Sequence, residues 1–80
     1  MEKKSKVYIE TSIISYLTSR PSRDLVAAAY QEISYNWWVQ QIHHYIPYIS
    51  GFVLEEISKG DSEAVKKRLQ FVEKIAVLEI

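Results

Sequence analysis

The chain has 80 residues, enough for one domain, and a chain this short buries only roughly 60% of its unfolded surface. Its 48% hydrophobic and 25% charged residues argue against disorder, and the absence of cysteine excludes a disulfide framework and any thiolate-bound zinc or iron–sulfur centre. Ten basic and ten acidic side chains cancel, so no overall field draws the chain to nucleic acid or to a membrane surface. No apolar run approaches the ~20 residues that span a bilayer, and nothing resembling a signal peptide follows Met1-Glu2-Lys3-Lys4. A cytoplasmic location is expected.

Taken in chain order, Val7-Tyr8-Ile9 is a β-branched and aromatic run predicted to be a buried strand that ends at a helix cap, Thr11-Ser12, with Glu10 at the junction. Ile13, Ile14, Tyr16 and Leu17 suit a short helix that stops near Ser19, because Pro21 disfavours helical backbone in the residue before it. After a turn from Ser19 to Arg23, Ser22 is the predicted cap of a long helix with Asp24 in its first turn. Leu25, Val26, Ala29, Tyr30, Ile33 and Trp37 fall on one helical stripe and are predicted to be its core face. Pro47 marks the start of an element in which Tyr48-Ile49, with Ile46 at its margin, forms a second strand. Phe52 to Lys59 reads as a third helix closed by Gly60. Asp61 opens a fourth helix that aligns Val65, Leu69, Val72 and Ala76 on one face and offers a Glu63–Lys67 pair on the other. Val77-Leu78-Glu79-Ile80 is a predicted third strand. The sequence stops inside it, so residues 1–80 are expected to be a single, incomplete domain.

Strands separated by helical pairs imply parallel pairing through right-handed crossovers, hence an α/β fold. In such sheets ligands gather beyond the carboxyl ends of the strands, which here are Glu10-Thr11-Ser12 and Ser50-Gly51. Charge is arranged around the same segments. Residues 1–23 hold five basic against two acidic side chains, and residues 24–56 contain four acids and no Lys or Arg.

Glu10 follows an apolar strand directly, which leaves two readings: a carboxylate that bonds backbone N–H groups at a helix start, or a metal ligand. At 100° per residue Glu56 turns toward the apolar side of its helix, whereas Glu55 turns to water. Two carboxylates at one sheet edge repel unless a hard divalent cation such as Mg²⁺ or Mn²⁺ lies between them. His43-His44 reads as surface or core histidine, since neighbouring side chains point apart on a regular element. Trp37-Trp38, with Tyr30, Tyr35 and Tyr45, reads as core or partner interface, with base stacking as the alternative. Lys66-Lys67-Arg68 reads as a solvated helix face, with phosphate contact as the alternative.

Two segments resemble a known family. Val7-Tyr8-Ile9-Glu10-Thr11-Ser12-Ile13-Ile14-Ser15-Tyr16-Leu17 looks like the opening of PIN-domain proteins, where an apolar strand delivers an acid ahead of Thr/Ser and an apolar helix. Ser50-Gly51-Phe52-Val53-Leu54-Glu55-Glu56-Ile57-Ser58-Lys59-Gly60 resembles the second motif of that family and selects Glu56. The resemblance spans the whole chain but only the first half of the family's domain. It implies a PIN-like parallel sheet of about three strands and four helices, with helices on both faces, apparently truncated. It further implies a Mg²⁺- or Mn²⁺-dependent endoribonuclease, often the VapC-type toxin of a toxin–antitoxin pair, with RNA as substrate and a cognate antitoxin as partner. Glu10 and Glu56 would be its catalytic acids and metal ligands, and Thr11 and Ser12 would cap the helix or contact water or phosphate. Glu10 stands where the family usually has Asp, and Glu79 matches no motif that would supply the remaining acids.

Three functions are therefore expected to compete. The chain is a ribonuclease whose further acids come from elsewhere, a catalytically inactive interaction module, or a small aromatic-rich nucleic-acid binder. The exposed edge expected at the first strand, together with the aromatic surface, predicts a homo-oligomer or a complementing chain.

Overall fold

The computed structural model describes residues 3–78. Within them β1 (Ser5–Tyr8), α1 (Thr11–Thr18), α2 (Leu25–Gln41), β2 (Tyr45–Ile49), α3 (Gly51–Ile57), α4 (Ser62–Val72) and β3 (Ala76–Val77) follow in order, with a 3₁₀ turn over Ile42–His44 before β2. The three strands form one parallel sheet in the order β1-β2-β3. The fold is thus α/β, with four helices over a small parallel sheet.

The strands alternate. Val7, Ile9 and Ile49 point toward the helices, where Ile9 and Ile49 join Ile14 of α1, Val53 and Ile57 of α3 and Val72 of α4 in a single buried core. Lys6, Tyr8, Ile46 and Tyr48 carry the opposite phase. Tyr8 is 38% and Ile46 46% exposed, and Tyr8 packs beside its register partner Tyr48 with ring centroids 5.4 Å apart. The expected covering of both sheet faces is therefore corrected: the described helices gather on one. Strand order explains this, because two parallel crossovers of one hand that step in the same direction across a sheet lie on the same side of it. Contacts of α1 with α2, α3 and α4 are the result.

Local chemistry sets most helix ends. Asp24, rather than Ser22, is the cap of α2: its carboxylate accepts from the Ala27 N–H at 2.9 Å, while Ser22 Oγ accepts from the Asp24 N–H at 3.1 Å. Asp61 caps α4 in the same way through the Ala64 N–H at 3.0 Å. α3 stops at Ile57, short of the predicted Lys59, and Gly60 takes φ +102° in the turn that follows, a region that favours glycine. Pro47 lies inside β2 without breaking it. Ile49 accepts from Leu78 N–H, so the backbone of Pro47, two residues back, faces β3, whose register with β2 begins only at Tyr48–Ala76. The missing N–H therefore costs no ladder bond. Ala76 belongs to β3 rather than to the α4 stripe, and of the predicted third strand Glu79 and Ile80 lie outside the described residues.

Two side-chain expectations change. Arg68 is not simply solvated: its Nη1 donates to Lys59 O at 3.0 Å and to Ile57 O at 3.4 Å, placing a cation on the carboxyl end of α3, where the backbone carries partial negative charge. The Glu63–Lys67 pair does not form; the ion pairs among the described residues join Lys59 to Glu55 and Glu56. Removing the α4 cap, Asp61→Ala, is expected to lower unfolding free energy by about 1 kcal/mol. Urea denaturation measures it, with the exposed neighbour Ser62→Ala as a control expected within about 0.5 kcal/mol of the parent.

Candidate functional site

β1 ends at the same sheet edge where α1 and α3 begin. Glu10 holds extended backbone, φ −84° and ψ 160°, and occupies the cap position of α1, but its side chain makes no capping hydrogen bond. The reading of Glu10 as a carboxylate tied to local N–H groups is therefore not what forms. Nor is the carboxylate buried: Ile9 before it is only 2% exposed, yet Glu10 itself is exposed. Its acid group faces water at the mouth of a cleft of about 420 Å³ lined by Tyr8, Glu10, Thr11, Ser12, Phe52 and Val53.

Thr11 and Ser12 fall in the first turn of α1 and are not its cap, because the extended residue before the helix is Glu10. They do line the cleft, so two hydroxyl-bearing residues and one carboxylate meet there. Ser50 caps α3, accepting from the Val53 N–H at 3.2 Å, and its Oγ lies 2.9 Å from Tyr8 Oη. That bond ties the end of β1 to the start of α3 beside the cleft. Tyr8 was not singled out from the sequence, and Ser50 was placed at the expected ligand edge without a role of its own. The Ser-Gly step before an apolar run was a legible cap signal, but the Tyr8 contact spans 42 residues and had none.

Glu56 lies further along α3 and is not among the residues lining the cleft. Its side chain is 38% exposed against 72% for Glu55, so the wheel ranked the two correctly. It did not foresee Lys59, whose Nζ stands 3.9 Å from Glu56 and 4.0 Å from Glu55. Residues 24–56 hold no Lys or Arg, but i,i+3 spacing brings in Lys59 from just beyond that stretch. An exposed pair of this kind contributes roughly 0.5 kcal/mol or less.

Other candidates resolve as follows. His43 and His44 are exposed, and the tight turn they occupy brings their rings to 4.1 Å rather than pointing them apart. Trp37 and Trp38 both pack against the core. Trp38 meets Phe71 of α4 at 4.8 Å, and Trp37 stacks on Tyr45 at 6.0 Å.

Mg²⁺ is held through one or two carboxylates, with water and substrate phosphate completing its shell, and affinity rises with the number of charged ligands. Among the described residues no group of three or more His, Asp or Glu side chains is placed to hold an ion. The oxygens of Glu10, Thr11 and Ser12 do not by themselves fit a resident Mg²⁺ or Mn²⁺, and no catalytic step follows from them alone. Comparison of the chain with protein-family models, with curated proteins and with solved structures finds no match.

Proposed function

We propose that this chain carries the first part of a PIN-like endoribonuclease site, of the Mg²⁺- or Mn²⁺-dependent kind found in toxins of toxin–antitoxin pairs, with Glu10 and Glu56 as its acids and RNA as its substrate. The observation that carries this reading is the cleft at the carboxyl end of β1, where Glu10 stands unbonded beside Thr11 and Ser12 at the foot of α3. The order of the two motifs along the chain supports the same assignment. Further carboxylates must join these two before a cation is held tightly, because affinity falls with the number of charged ligands. The chain on its own is therefore a weak or silent nuclease.

Cleavage of structured RNA in Mg²⁺ tests the reading, with Glu10→Gln and Glu56→Gln measured beside the parent. Any metal-dependent turnover is expected to fall at least about tenfold in either variant. Where turnover is absent, Mn²⁺ binding followed by loss of the free-ion spin-resonance signal is expected near about 1 mM and weaker in Glu10→Gln. Identical binding, or identical cleavage, in all three proteins would overturn the assignment.

A second reading rests on its own observation. Leu25, Val26, Tyr30 and Ile33 of α2 are 51–85% exposed, which is apolar area that an interaction module would cover with a cognate antitoxin or a complementing chain. Robust metal-dependent turnover by the purified chain rules this second reading out.

A further inference from the structure

We infer that Phe52 is the side chain on which an unpaired nucleobase of the RNA stacks at the acidic cleft, an inference that rests on the nuclease reading and adds to it the residue that holds the base. Phe52 lies in the first turn of α3 and is 67% exposed, although phenylalanine is a residue type usually buried. It lines the cleft of about 420 Å³ that Glu10, Thr11 and Ser12 share, a volume within the range of small-ligand sites. Exposed apolar side chains on α2 can be covered by further protein without closing that cleft. A cleft that takes RNA has to stay open, so an aromatic ring inside it meets substrate rather than a neighbouring element.

The ring is also free. Tyr8, which lines the same cleft, packs on Tyr48 with centroids 5.4 Å apart and has its hydroxyl bonded to Ser50 at 2.9 Å, and both tryptophans have ring partners. Among the described residues Phe52 and Tyr35 are the aromatic side chains with no ring partner. Tyr35 lies on α2, outside the cleft. A base laid over Phe52 therefore displaces no existing ring contact, and it covers apolar surface that water now meets.

Placement along α3 gives the contact a direction. Phe52 precedes Glu56 by four residues, so the two project from one face of the helix, about 6 Å apart along its axis. Val53 beside Phe52 is 2% exposed and anchors that turn in the core. A strand of RNA crossing the cleft lays a base on the ring while its phosphate lies toward Thr11 and Ser12. Zero net charge denies the chain a strong non-specific hold on phosphates, so a stacked base has to supply a sizeable share of the affinity. Every base has a π-face, so the contact tolerates sequence, and a base paired within a duplex cannot make it.

A short single-stranded RNA carrying 2-aminopurine at its centre, titrated in Mg²⁺, reads the contact directly, because the fluorescence of this base falls when it stacks on an aromatic ring. Binding to the parent chain is expected to quench the probe. Phe52 lies outside the buried core, so its substitution leaves the fold in place. Phe52→Ala is expected to weaken binding about 5- to 150-fold, the range for removing one base–aromatic stack, and to lose the quench. Phe52→Tyr keeps the ring and is expected to retain both. Tyr35→Ala removes an equally unpartnered ring outside the cleft and is expected to bind like the parent. A parent chain that does not quench, a Phe52→Ala variant that quenches like the parent, or a loss in Tyr35→Ala equal to that in Phe52→Ala overturns the inference. The nuclease reading fails separately: unchanged Mn²⁺ binding in Glu10→Gln removes it, and a quench that still depends on Phe52 then upholds the base contact alone.

Discussion

Truncating Ile57 to alanine is expected to remove about 2–5 kcal/mol of unfolding free energy, the largest effect of any single change considered. Ile57 is completely buried on α3 and shares the core with Ile14, Ile49, Val53 and Val72, so the space left by its lost methyl groups has neighbours on every side. Natural domains hold roughly 0.05–0.15 kcal/mol per residue, which for this chain is about 4–12 kcal/mol in total. A loss of this size leaves the folded state marginal. With a urea slope near about 1 kcal/mol/M, the midpoint should fall by about 2 M or more, and Ile57→Val should cost only about 0.5–1.5 kcal/mol. Leu25→Ala supplies the contrast. Leu25 heads the α2 stripe predicted to be core but is 85% exposed, and its truncation should stay within about 0.5 kcal/mol of the parent. Equal losses at Ile57 and Leu25 would mean that α2 is turned about its axis from the orientation described.

Trp38→Ala is expected to cost about 3 kcal/mol, because this ring joins the two helical crossovers. Trp38 leaves α2 and meets Phe71 of α4 at 4.8 Å with the ring planes inclined by 52°, a tilted arrangement that avoids the face-to-face sandwich the ring quadrupoles disfavour. The pair can be isolated by a double-mutant cycle with Phe71→Ala, in which the coupling should be about 0.5–1.5 kcal/mol. Trp38→Phe retains an aromatic partner and should recover much of the loss. Additive effects of the two truncations would show that the rings are neighbours without energetic coupling.

α2 shows where reading along the chain reaches its limit. Its helical period was legible, and so was the stripe Leu25, Val26, Ala29, Tyr30, Ile33 and Trp37. The stripe nevertheless points mostly to solvent, while buried Ser34 and half-buried Ala27, Gln31 and Trp38 face the rest of the fold. Gln31 explains part of this: its side chain accepts from Ser22 N–H and donates to Arg20 O, each at 2.9 Å, tying the helix to the preceding turn by its polar side. An apolar stripe specifies a surface to be covered but does not name what covers it.

The amino-acid sequence by itself determined the succession of strands and helices, the parallel α/β class, the stop of α1 at Ser19, the capping aspartate of α4 and the placement of Glu10 at the end of β1. Each of these follows from interactions within a few residues, or from the period of apolar side chains. Only the tertiary structure decided that the described helices share one sheet face, that Ser50 bonds Tyr8, that Arg68 closes the end of α3, and that Glu56 stands beside Lys59 rather than in the cleft with Glu10. Most of these depend on how elements distant in the chain are set against one another. The Lys59 contact is local: i,i+3 spacing permits it, and the rotamer that a long side chain adopts on an exposed helix decides whether it forms.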